Sequence, residues 1–338
     1  MPAQSLPPAP EGIPVRRAGL VSVVAPVLNE EEVVALFLDR VHAALDGVEH
    51  EIVLVNDGST DGTSQLLDRA AEADPRLKVV HLSRNFGYQA AVTAGLDHSG
   101  GDAVITIDAD LQDPPELIGD LLDAWRRGAD VVYAVRQERQ GEGWVKLATA
   151  RWFSKLFATL GQLEVPHNVG DFRLLDRRAV EAIGAMPERT RFLRGMTVWV
   201  GYTQSSVPYR RDARYAGKTR YRWRTLLRLS VDAISSFSHL PLQLATVLGF
   251  GVAGLAFLAI PYVVLNRLLG LYVRGVSTLL FAILLLGGIQ LITLGIIGEY
   301  ISRIYDEVKQ RPLYLVRARR NAQGSEPLDT AERERISS

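Results

Sequence analysis

The 338-residue sequence contains no cysteine, which excludes disulfides, cysteine zinc sites, iron–sulfur clusters and a thiol nucleophile. It also lacks an excess of either charge, with 38 Lys and Arg against 38 Asp and Glu. Dedicated nucleic-acid-binding proteins show a clear basic excess, so we expect no nucleic-acid partner. Residues 1–19 are proline-rich without the apolar core of a signal peptide, and we expect them to be disordered.

Apolar residues are concentrated towards the C-terminal end of the chain. Residues 242–265 and 278–297 contain no Asp, Glu, Lys or Arg, and a short connector separates the two runs. A membrane-spanning helix needs about 20 predominantly apolar residues. The sequence therefore predicts a two-helix transmembrane hairpin over 241–298. A pair of buried core helices is the alternative, although uncharged runs of this length are rare in soluble proteins.

Basic residues flank the predicted hairpin on its outer sides. The outer ones are Arg210, Arg211, Arg214, Lys218, Arg220, Arg222, Arg224 and Arg228 before it, and Arg303, Lys309, Arg311, Arg317, Arg319 and Arg320 after it. The connector holds only Arg267 and Arg274. The positive-inside rule then predicts a multi-pass protein of the cell (inner) membrane with both termini in the cytoplasm. Residues 299–338 form the predicted cytoplasmic C-terminal segment, which ends in a disordered tail.

Residues 20–210 alternate between strand-like and helix-like patterns. The predicted strands are 21–26, 51–55, 78–82, 103–107 and 130–135, and the predicted helices are 30–45, 63–73, 89–98 and 115–127. This alternation predicts an α/β domain with a parallel sheet and helices on both faces. Ligands of such sheets bind beyond the carboxyl ends of the strands, where this sequence places its polar clusters.

Two further stretches, 144–160 and 221–240, combine an apolar stripe at helical spacing with basic residues and tryptophan. Basic amphipathic helices with aromatic anchors lie at the surface of a membrane. We therefore predict interfacial helices, the second preceded by a flexible loop, so that the loop and helix occupy 211–240. The alternative is that both helices pack on the soluble domain.

Asp108 and Asp110 carry the strongest chemical signal. They follow an apolar strand, and residues i and i+2 of an extended segment point the same way. Two carboxylates are hard oxygen ligands suited to Mg²⁺ or Mn²⁺, which usually keeps substrate phosphates in its remaining positions. An acidic pair on a solvated loop is the alternative, but the position after a buried strand favours the metal site.

Polar residues also follow the first two predicted strands. Asp57 is placed to accept a hydrogen bond from a nucleobase N–H. Asn29, Ser59 and Asp61 belong to the same polar clusters. They either contribute to the binding site or serve as helix caps or turn residues, which these residue types favour.

The ordered motifs PVLNEEE, VNDGSTDGT, LSRNFGYQAAVTAGLD, DADLQDPPE, GDFRLLDRRAV and RYAGKTRYRW resemble the family 2 GT-A glycosyltransferases that load polyprenyl phosphates. The likeness covers about residues 20–315 and is greatest to the bactoprenol glucosyltransferases. It implies a Rossmann-like GT-A domain. It also implies inverting, metal-dependent transfer of a sugar, with glucose from UDP-glucose as the first choice, to undecaprenyl or another polyprenyl phosphate.

The resemblance also implies roles for individual residues. Pro26, Asn29, Glu30, Asp57 and Asp108 match positions that hold the nucleotide-sugar, and Asp108, Asp110 and Gln112 match the metal and diphosphate site. Asp171 matches an acidic residue at the reacting centre, with a salt bridge to Arg173 or Arg177 as its alternative role. Arg214 and Lys218 match basic residues of a loop that closes on the donor phosphates, and their alternative role is topology signalling. Relatives commonly have Ser-Lys-Tyr where this chain has Thr219-Arg220-Tyr221, a change conservative in charge.

Three other functions are alternatives to this one. Transfer of mannose from GDP-mannose or of a modified arabinose uses the same chemistry, and the sequence does not choose among the sugars. A processive polysaccharide synthase carries a Gln-x-x-Arg-Trp motif and more spans, whereas here Thr219 precedes Arg222-Trp223. A non-catalytic membrane scaffold has no need of the intact Asp108 and Asp110 pair. The oligomeric state, a homo-oligomer included, is left open by the sequence.

Overall fold

A computed structural model describes residues 16–136, 169–209, isolated positions between 242 and 269, and residues 276–322. The strands are β1 (Val21–Val27), β2 (His50–Asn56), β3 (Leu77–Leu82), β4 (Ala103–Thr106), β5 (Val131–Arg136), β6 (Val169–Asp176), β7 (Gln204–Tyr209) and β8 (Val316–Arg320). The helices are α1 (Val34–Ala44), α2 (Thr63–Ala73), α3 (Tyr88–Asp97), α4 (Ile118–Arg126), α5 (Arg177–Ala185), α6 (Leu193–Trp199) and α7 (Val276–Lys309). A 3₁₀ turn, Pro115–Leu117, precedes α4.

The strands form one eight-stranded sheet in the order β7-β5-β6-β4-β1-β2-β3-β8. Strands β4, β1, β2 and β3 are parallel neighbours, and β7 runs parallel to β5. Strand β6 lies antiparallel between β4 and β5, and β8 lies antiparallel on β3. The predicted α/β domain with a mostly parallel sheet is therefore confirmed.

The central strands are buried on both faces, which is why their sequences read as nearly continuous apolar runs rather than alternating ones. Helix α3 packs closely against this layer. A Cβ at Gly95 would lie 2.1 Å from Val24 Cγ1 of β1, so only glycine allows this approach. The close packing fixes the first residue of α3, Tyr88, relative to the sheet.

Strand β6 was not among the predicted strands, and its direction changes how the site is built. It pairs antiparallel with β4, with Thr106 opposite Arg173. The Thr106 hydroxyl donates to the backbone carbonyl of Asp171 over 2.7 Å. Because β6 begins where β4 ends, Asp171 lies at the edge of the sheet where the carboxyl ends of the parallel strands meet.

The chain divides into two compact units, one of residues 1–154, 163–221 and 312–338 and the other of residues 155–162 and 222–311. Helix α7, in the second unit, is 34 residues long and contains the whole predicted span 278–297. It continues beyond Ile297, where the apolar run ends, to Lys309. Large apolar side chains along it, among them Leu291, Ile292 and Leu294, are exposed.

The predicted hairpin is not confirmed. Within the described residues, one helical stretch, Leu285–Lys309, is long and apolar enough to cross a membrane. The first predicted span, 242–265, is described only at isolated positions, which are helical. The predicted interfacial segments 144–160 and 221–240 lie outside the described residues.

Candidate functional site

Asp108 lies just beyond β4 and faces the first turn of α3. The Tyr88 hydroxyl donates to Asp108 Oδ1 over 2.7 Å. Burial, together with the negative charges of Asp171, Asp110 and Asp113, raises the pKa of Asp108 to about 7, although the bond from Tyr88 opposes the shift. Three other carboxylates therefore lie close enough to Asp108 to disfavour its ionised form.

Asp110 and Gln112 follow in a tight turn rather than in an extended segment. Strand β4 ends at Thr106, and Leu111, which is buried, has a φ of 58°. Asp110 Oδ1 accepts the backbone N–H of Gln112 over 3.1 Å. The expectation that Asp108 and Asp110 are i and i+2 of an extended segment was therefore wrong, because the turn brings their charges together instead.

The side chains of Asp108, Asp110 and Gln112 offer oxygen atoms of the kind that bind a divalent cation together with phosphate. No group of three or more His, Cys, Asp or Glu side chains placed to hold a metal occurs in the described part of the chain. The oxygen atoms available at this edge are those of the Asp108 and Asp110 carboxylates and of the Gln112 amide. Mg²⁺ and similar ions are commonly bound through one or two carboxylates plus phosphates and water, so the residues present fit such an ion.

Asp171 of β6 is held by two arginines. Arg194 of α6 donates from Nε to Oδ1 over 3.0 Å and from Nη2 to Oδ2 over 2.8 Å. Arg173 Nη2 donates to Oδ1 over 2.9 Å. Burial raises the pKa of Asp171, but the hydrogen bonds and charge of Arg194, with the charges of Arg173 and Arg136, outweigh it and hold the pKa below the ordinary value.

The alternative role of Asp171 is thus partly observed, since Arg173 does pair with it. Arg177 does not, because its guanidinium donates to the Gly101 carbonyl at the opposite end of β4.

A second polar cluster fixes the loop that carries Asp110 and Gln112. Asp113 is fully buried and accepts a hydrogen bond from the Tyr209 hydroxyl of β7. Arg136, the last residue of β5, donates from Nε to the Tyr209 hydroxyl over 3.0 Å. Burial and the bond to Asp113 raise the pKa of Tyr209 well above its usual range. The loop after β4 is therefore anchored to β5 and β7.

The loops after β1 and β2 are joined by hydrogen bonds. Asn29 has a φ of 56°, and its N–H donates to Ser59 Oγ over 3.0 Å. Its Oδ1 accepts the Thr60 N–H over 2.8 Å, and the Glu30 N–H donates to Thr63 Oγ1 over 3.0 Å. Pro26 lies one residue before the end of β1. Turn formation is thus an observed role of Asn29 and Ser59.

Asp57 joins the loop after β2 to the loop before α3. Its two carboxylate oxygens accept the N–H groups of Phe86 (2.7 Å) and Gly87 (3.0 Å). Gly58 has a φ of 73°, and a Cβ there would lie 2.6 Å from the Arg84 carbonyl carbon. Burial raises the pKa of Asp57, although the two backbone bonds oppose the shift. The geometry therefore gives Asp57 a loop-fixing role, and contact with a nucleobase stays a prediction.

The predicted site residues fall at one edge of the sheet. Asp108, Asp110, Gln112 and Asp171 lie around the end of β4, and Pro26, Asn29, Glu30 and Asp57 lie at the ends of β1 and β2. Arg214 and Lys218 lie outside the described residues. Sequence reasoning did not find Tyr88, Arg194, Asp113, Tyr209 or Arg136. Tyr88 stands within the quoted LSRNFGYQAAVTAGLD segment, whereas the pairing of Arg194 has no local signal.

Comparison with known proteins gives a consistent result. Residues 22–184 match the family described as Glycosyl transferase family 2. An uncharacterized glycosyltransferase of Synechocystis is 47% identical over 299 residues, covering 88% of this chain and 94% of that protein. A prophage bactoprenol glucosyl transferase homolog of Escherichia coli is 44% identical over 300 residues, covering 88% of this chain and 98% of that protein.

Solved structures are more distant. A mannosyltransferase of Pyrobaculum calidifontis in complex with GDP-Man and Mn²⁺ is 19% identical, covers 90% of this chain and 91% of its own, and has a TM-score of 0.44. The glucosyl-3-phosphoglycerate synthase of Mycobacterium tuberculosis in complex with Mn²⁺, UDP-Glc and phosphoglyceric acid is 22% identical. It covers 64% of this chain and 77% of its own, with a TM-score of 0.44.

Proposed function

The chain belongs to glycosyl transferase family 2, and from this premise we propose that it transfers glucose from UDP-glucose to undecaprenyl phosphate at the cytoplasmic face of a membrane. The choice of acceptor and sugar is supported by relatives that are 44% identical over 88% of the chain and are named bactoprenol glucosyl transferases. The observation that carries the proposal is the single sheet edge at which Asp108 and Asp110 meet the arginine-held Asp171.

We propose that Asp108, Asp110 and Gln112 hold the divalent ion, Mg²⁺ or Mn²⁺. When bound, such an ion stabilises negative charge that develops on the leaving diphosphate. The loop that carries these residues is fixed by the hydrogen bonds among Asp113, Tyr209 and Arg136. The proposed ligands therefore need little rearrangement when the nucleotide-sugar binds. Pro26, Asn29, Glu30 and Asp57 then border the nucleoside at the ends of β1 and β2.

The acceptor phosphate needs no general base, because a lipid phosphate is already ionised at neutral pH. Asp171 is correspondingly a poor base, since its two arginine partners hold its pKa below the ordinary value. It is suited to orient a sugar hydroxyl or the acceptor. Attack by the phosphate oxygen on the anomeric carbon, with departure of UDP, is a single displacement that inverts the configuration.

Arg214 and Lys218 are proposed to close over the donor diphosphate. They lie on either side of Ala216-Gly217, and glycine permits the backbone movement that such a closing loop needs. Their positive charges would offset the charge on the departing UDP.

The proposed domain order is the catalytic domain 20–210, the loop and interfacial helix 211–240, the hairpin 241–298 and the cytoplasmic segment 299–338. Support for the second span comes from α7, in which several described apolar side chains of the predicted run 278–297, among them Leu285, Leu291 and Ile292, are exposed. Support for the orientation comes from the basic residues on the outer sides of the hairpin. An enzyme so placed meets cytoplasmic nucleotide-sugars and a lipid phosphate at the same surface.

The test is a donor panel. The purified full-length protein in detergent is incubated with undecaprenyl phosphate, Mn²⁺ and radiolabelled UDP-glucose, GDP-mannose or UDP-N-acetylglucosamine, and lipid is extracted. We expect label in the lipid fraction with UDP-glucose alone, and none when EDTA is added. Label from GDP-mannose alone would replace the donor in the proposal. Absence of labelled lipid with every donor, in protein that folds, would contradict polyprenyl-phosphate transfer.

A further inference from the structure

A series of buried hydrogen bonds links β2, β3 and α2 beside the sheet edge at which β1 and β2 end. Asn56, the last residue of β2, and His81 of β3 are paired in register, and they are 1% and 3% exposed. Ser64 and Asp68 lie one turn apart on α2 and face them. Asn56 Nδ2 donates to Ser64 Oγ over 2.7 Å and lies 3.0 Å from His81 Nδ1, and His81 Nε2 lies 3.3 Å from Asp68 Oδ1.

The partners determine where the proton of His81 lies. Asn56 Oδ1 accepts the Ser59 N–H over 2.9 Å, so the amide group must present its NH₂ to His81. An N–H donor needs an unprotonated Nδ1 as its acceptor. Nε2 then carries the proton and donates it to Asp68. His81 is therefore neutral in this arrangement, and it bridges a donor on β2 to a carboxylate on α2.

The surroundings favour the neutral form. Burial lowers the pKa of His81, and the charges of Arg317 and Arg320 on β8 lower it further. Asp68 on α2 opposes them. Arg320 also donates from Nε to Asp68 Oδ1 over 2.8 Å, which neutralises the carboxylate that would otherwise draw a proton to the ring.

The hydrogen bonds continue from His81, through Asn56, to Ser59 in the loop after β2 and to Asn29 in the loop after β1. Asn56 fixes the backbone N–H of Ser59, and Ser59 Oγ accepts the N–H of Asn29 over 3.0 Å. Asn29 has a φ of 56°, in the left-handed region that few residues other than Gly, Asn and Asp adopt. Hydrogen bonds to Ser59 and Thr60 hold it there. A rotated Asn56 amide would release Ser59 and, with it, Asn29.

We infer that neutral His81 is a positioning residue for the nucleotide-sugar, because it holds the Asn56 amide in the orientation that keeps Ser59 and Asn29 in place. This inference rests on the proposed function, in which Asn29 borders the nucleoside. His81 acts through Asn56 and takes no part in the chemical step. Loss of its Nδ1 acceptor therefore weakens donor binding more than it slows turnover, and protonation of Nδ1 has the same effect.

The first experiment compares His81→Leu with His81→Gln in the full-length protein. Gln reproduces both bonds, with its carbonyl accepting from Asn56 and its NH₂ donating to Asp68, whereas Leu fills space without either. We expect His81→Leu to raise the Kd for UDP-glucose about tenfold, as loss of one buried hydrogen bond predicts, with kcat at saturating donor within about twofold. His81→Gln should restore the wild-type Kd. The matched control is His98→Gln, because His98 is half-buried and takes no part in the hydrogen bonds that link His81 to Asn56.

The second experiment measures the Kd for UDP-glucose between about pH 5 and pH 7.5, across the range in which histidine titrates. UDP-glucose itself has no group that titrates there. In the wild type and in His98→Gln we expect binding to weaken as the pH falls and Nδ1 becomes protonated. Any pH dependence that comes from Asp108 is common to all three proteins, so His81→Gln should lose only the part of the weakening that His81 causes and should show a flatter profile.

The outcomes separate the inference from the proposed function. A wild type that neither binds UDP-glucose nor transfers glucose contradicts the proposed function. A wild type that does both, alongside a His81→Leu variant of equal Kd, overturns the role of His81. If His81→Leu does not fold, His81→Gln decides: a pH profile identical to that of wild type overturns the inference, and a flattened one supports it.

Discussion

At the residue scale, the site brings carboxylates and guanidinium groups together in two different ways. Asp171 is neutralised by Arg194 and Arg173 and stays ionised. Asp108 has a tyrosine hydroxyl as its hydrogen-bond partner, and burial raises its pKa to about 7. Asp171 therefore has two cationic partners within the protein, whereas Asp108 accepts a hydrogen bond from the neutral Tyr88 hydroxyl, as expected if a bound ion pairs with Asp108 in the proposed reaction.

Asp110→Asn should abolish transfer while leaving the fold intact. The Asn carbonyl still accepts the Gln112 N–H that Asp110 accepts over 3.1 Å, but the ion loses a charged ligand. We expect the rate to fall by about 10²-fold or more, the scale of a lost electrostatic stabiliser. Initial rates at saturating Mn²⁺ and UDP-glucose measure it, with the exposed Asp123→Asn as control. Near-normal turnover in Asp110→Asn would remove the metal site from the proposal.

Asp108→Asn should stabilise the metal-free protein at neutral and alkaline pH. The folded state keeps a proton on Asp108 up to about pH 7, whereas the unfolded chain releases it near its ordinary value of about 4. Stability of the wild type therefore falls as the pH rises through this window. We expect the Tm advantage of Asp108→Asn to grow between about pH 4 and pH 7 and then level off.

Thermal melting in detergent with EDTA tests this, and Mn²⁺ should then raise the Tm of the wild type but not of Asp108→Asn. A Tm difference that is constant over the whole pH range would show that Asp108 is not protonated in the folded protein.

Arg194→Ala should remove the bidentate ion pair of Asp171 and so destabilise its ionised form. Burial already raises the pKa of Asp171, and removal of Arg194 takes away the hydrogen bonds and charge that most oppose this effect, so the pKa of Asp171 rises. We expect a loss of stability of roughly 1.5–3 kcal/mol, as for a charge-assisted hydrogen bond, together with lower kcat. Arg178→Ala is the matched control, because Arg178 pairs with Asp130 at the other end of the sheet and is 59% exposed. If both variants behave alike, Arg194 is an ordinary surface arginine.

At the scale of elements, strands β1 to β5 were predictable and strands β6 to β8 were not. Strands β1 to β5 are short apolar segments rich in β-branched residues, and helical patterns separate them, so both signals are local. Strands β7 and β8 read QSSVPY and VRARR, without an apolar run. They exist because the edges of the sheet offer unpaired backbone groups, which is a property of the assembled fold.

In the candidate site, too, local sequence patterns were predictable and contacts between distant residues were not. Asp108 and Asp110 were found because two carboxylates after a buried strand form a local pattern. Their supporting contacts join residues that are far apart in sequence. The Arg194–Asp171 pair is separated by 23 residues and the Tyr209–Asp113 bond by 96. Such contacts follow from the antiparallel insertion of β6 and the position of β7, neither of which the sequence pattern predicted.

Strand β8 also provides a prediction, through the residue that follows it. Asn321 has a φ of 53°, and its Nδ2 lies 2.6 Å from the Ala71 carbonyl and 3.0 Å from the Leu77 carbonyl. Asn321→Gly should cost about 1 kcal/mol, because it loses these bonds but adopts the backbone conformation freely. Asn321→Ala should cost about 1 kcal/mol more, because it also strains the backbone. Thermal melting ranks the two, and equal Tm values would exclude the strain.

At the scale of the whole molecule, the proposed activity requires the catalytic domain to face the compartment that supplies nucleotide-sugars. By the positive-inside rule, the basic residues before and after the apolar runs predict that both outer ends of the proposed hairpin are cytoplasmic. Helix α7, which contains the second run, leads after residues 310–315 into β8 of the catalytic sheet. In the proposed arrangement, the orientation of α7 therefore also determines the side of the membrane on which β8 is found.

We accordingly predict that Ser338 and the catalytic domain are cytoplasmic and that the connector near Gly270 is on the other side. Alkaline phosphatase, which becomes active only outside the cytoplasm, should be silent when fused after Ser338 and active when fused after Gly270. Green fluorescent protein, which folds in the cytoplasm, should give the opposite pattern and controls for expression. Active phosphatase after Ser338 would separate Asp108 and Asp171 from cytoplasmic UDP-glucose. Because β8 and the site belong to one sheet, that result would contradict the proposed reaction as well as the orientation.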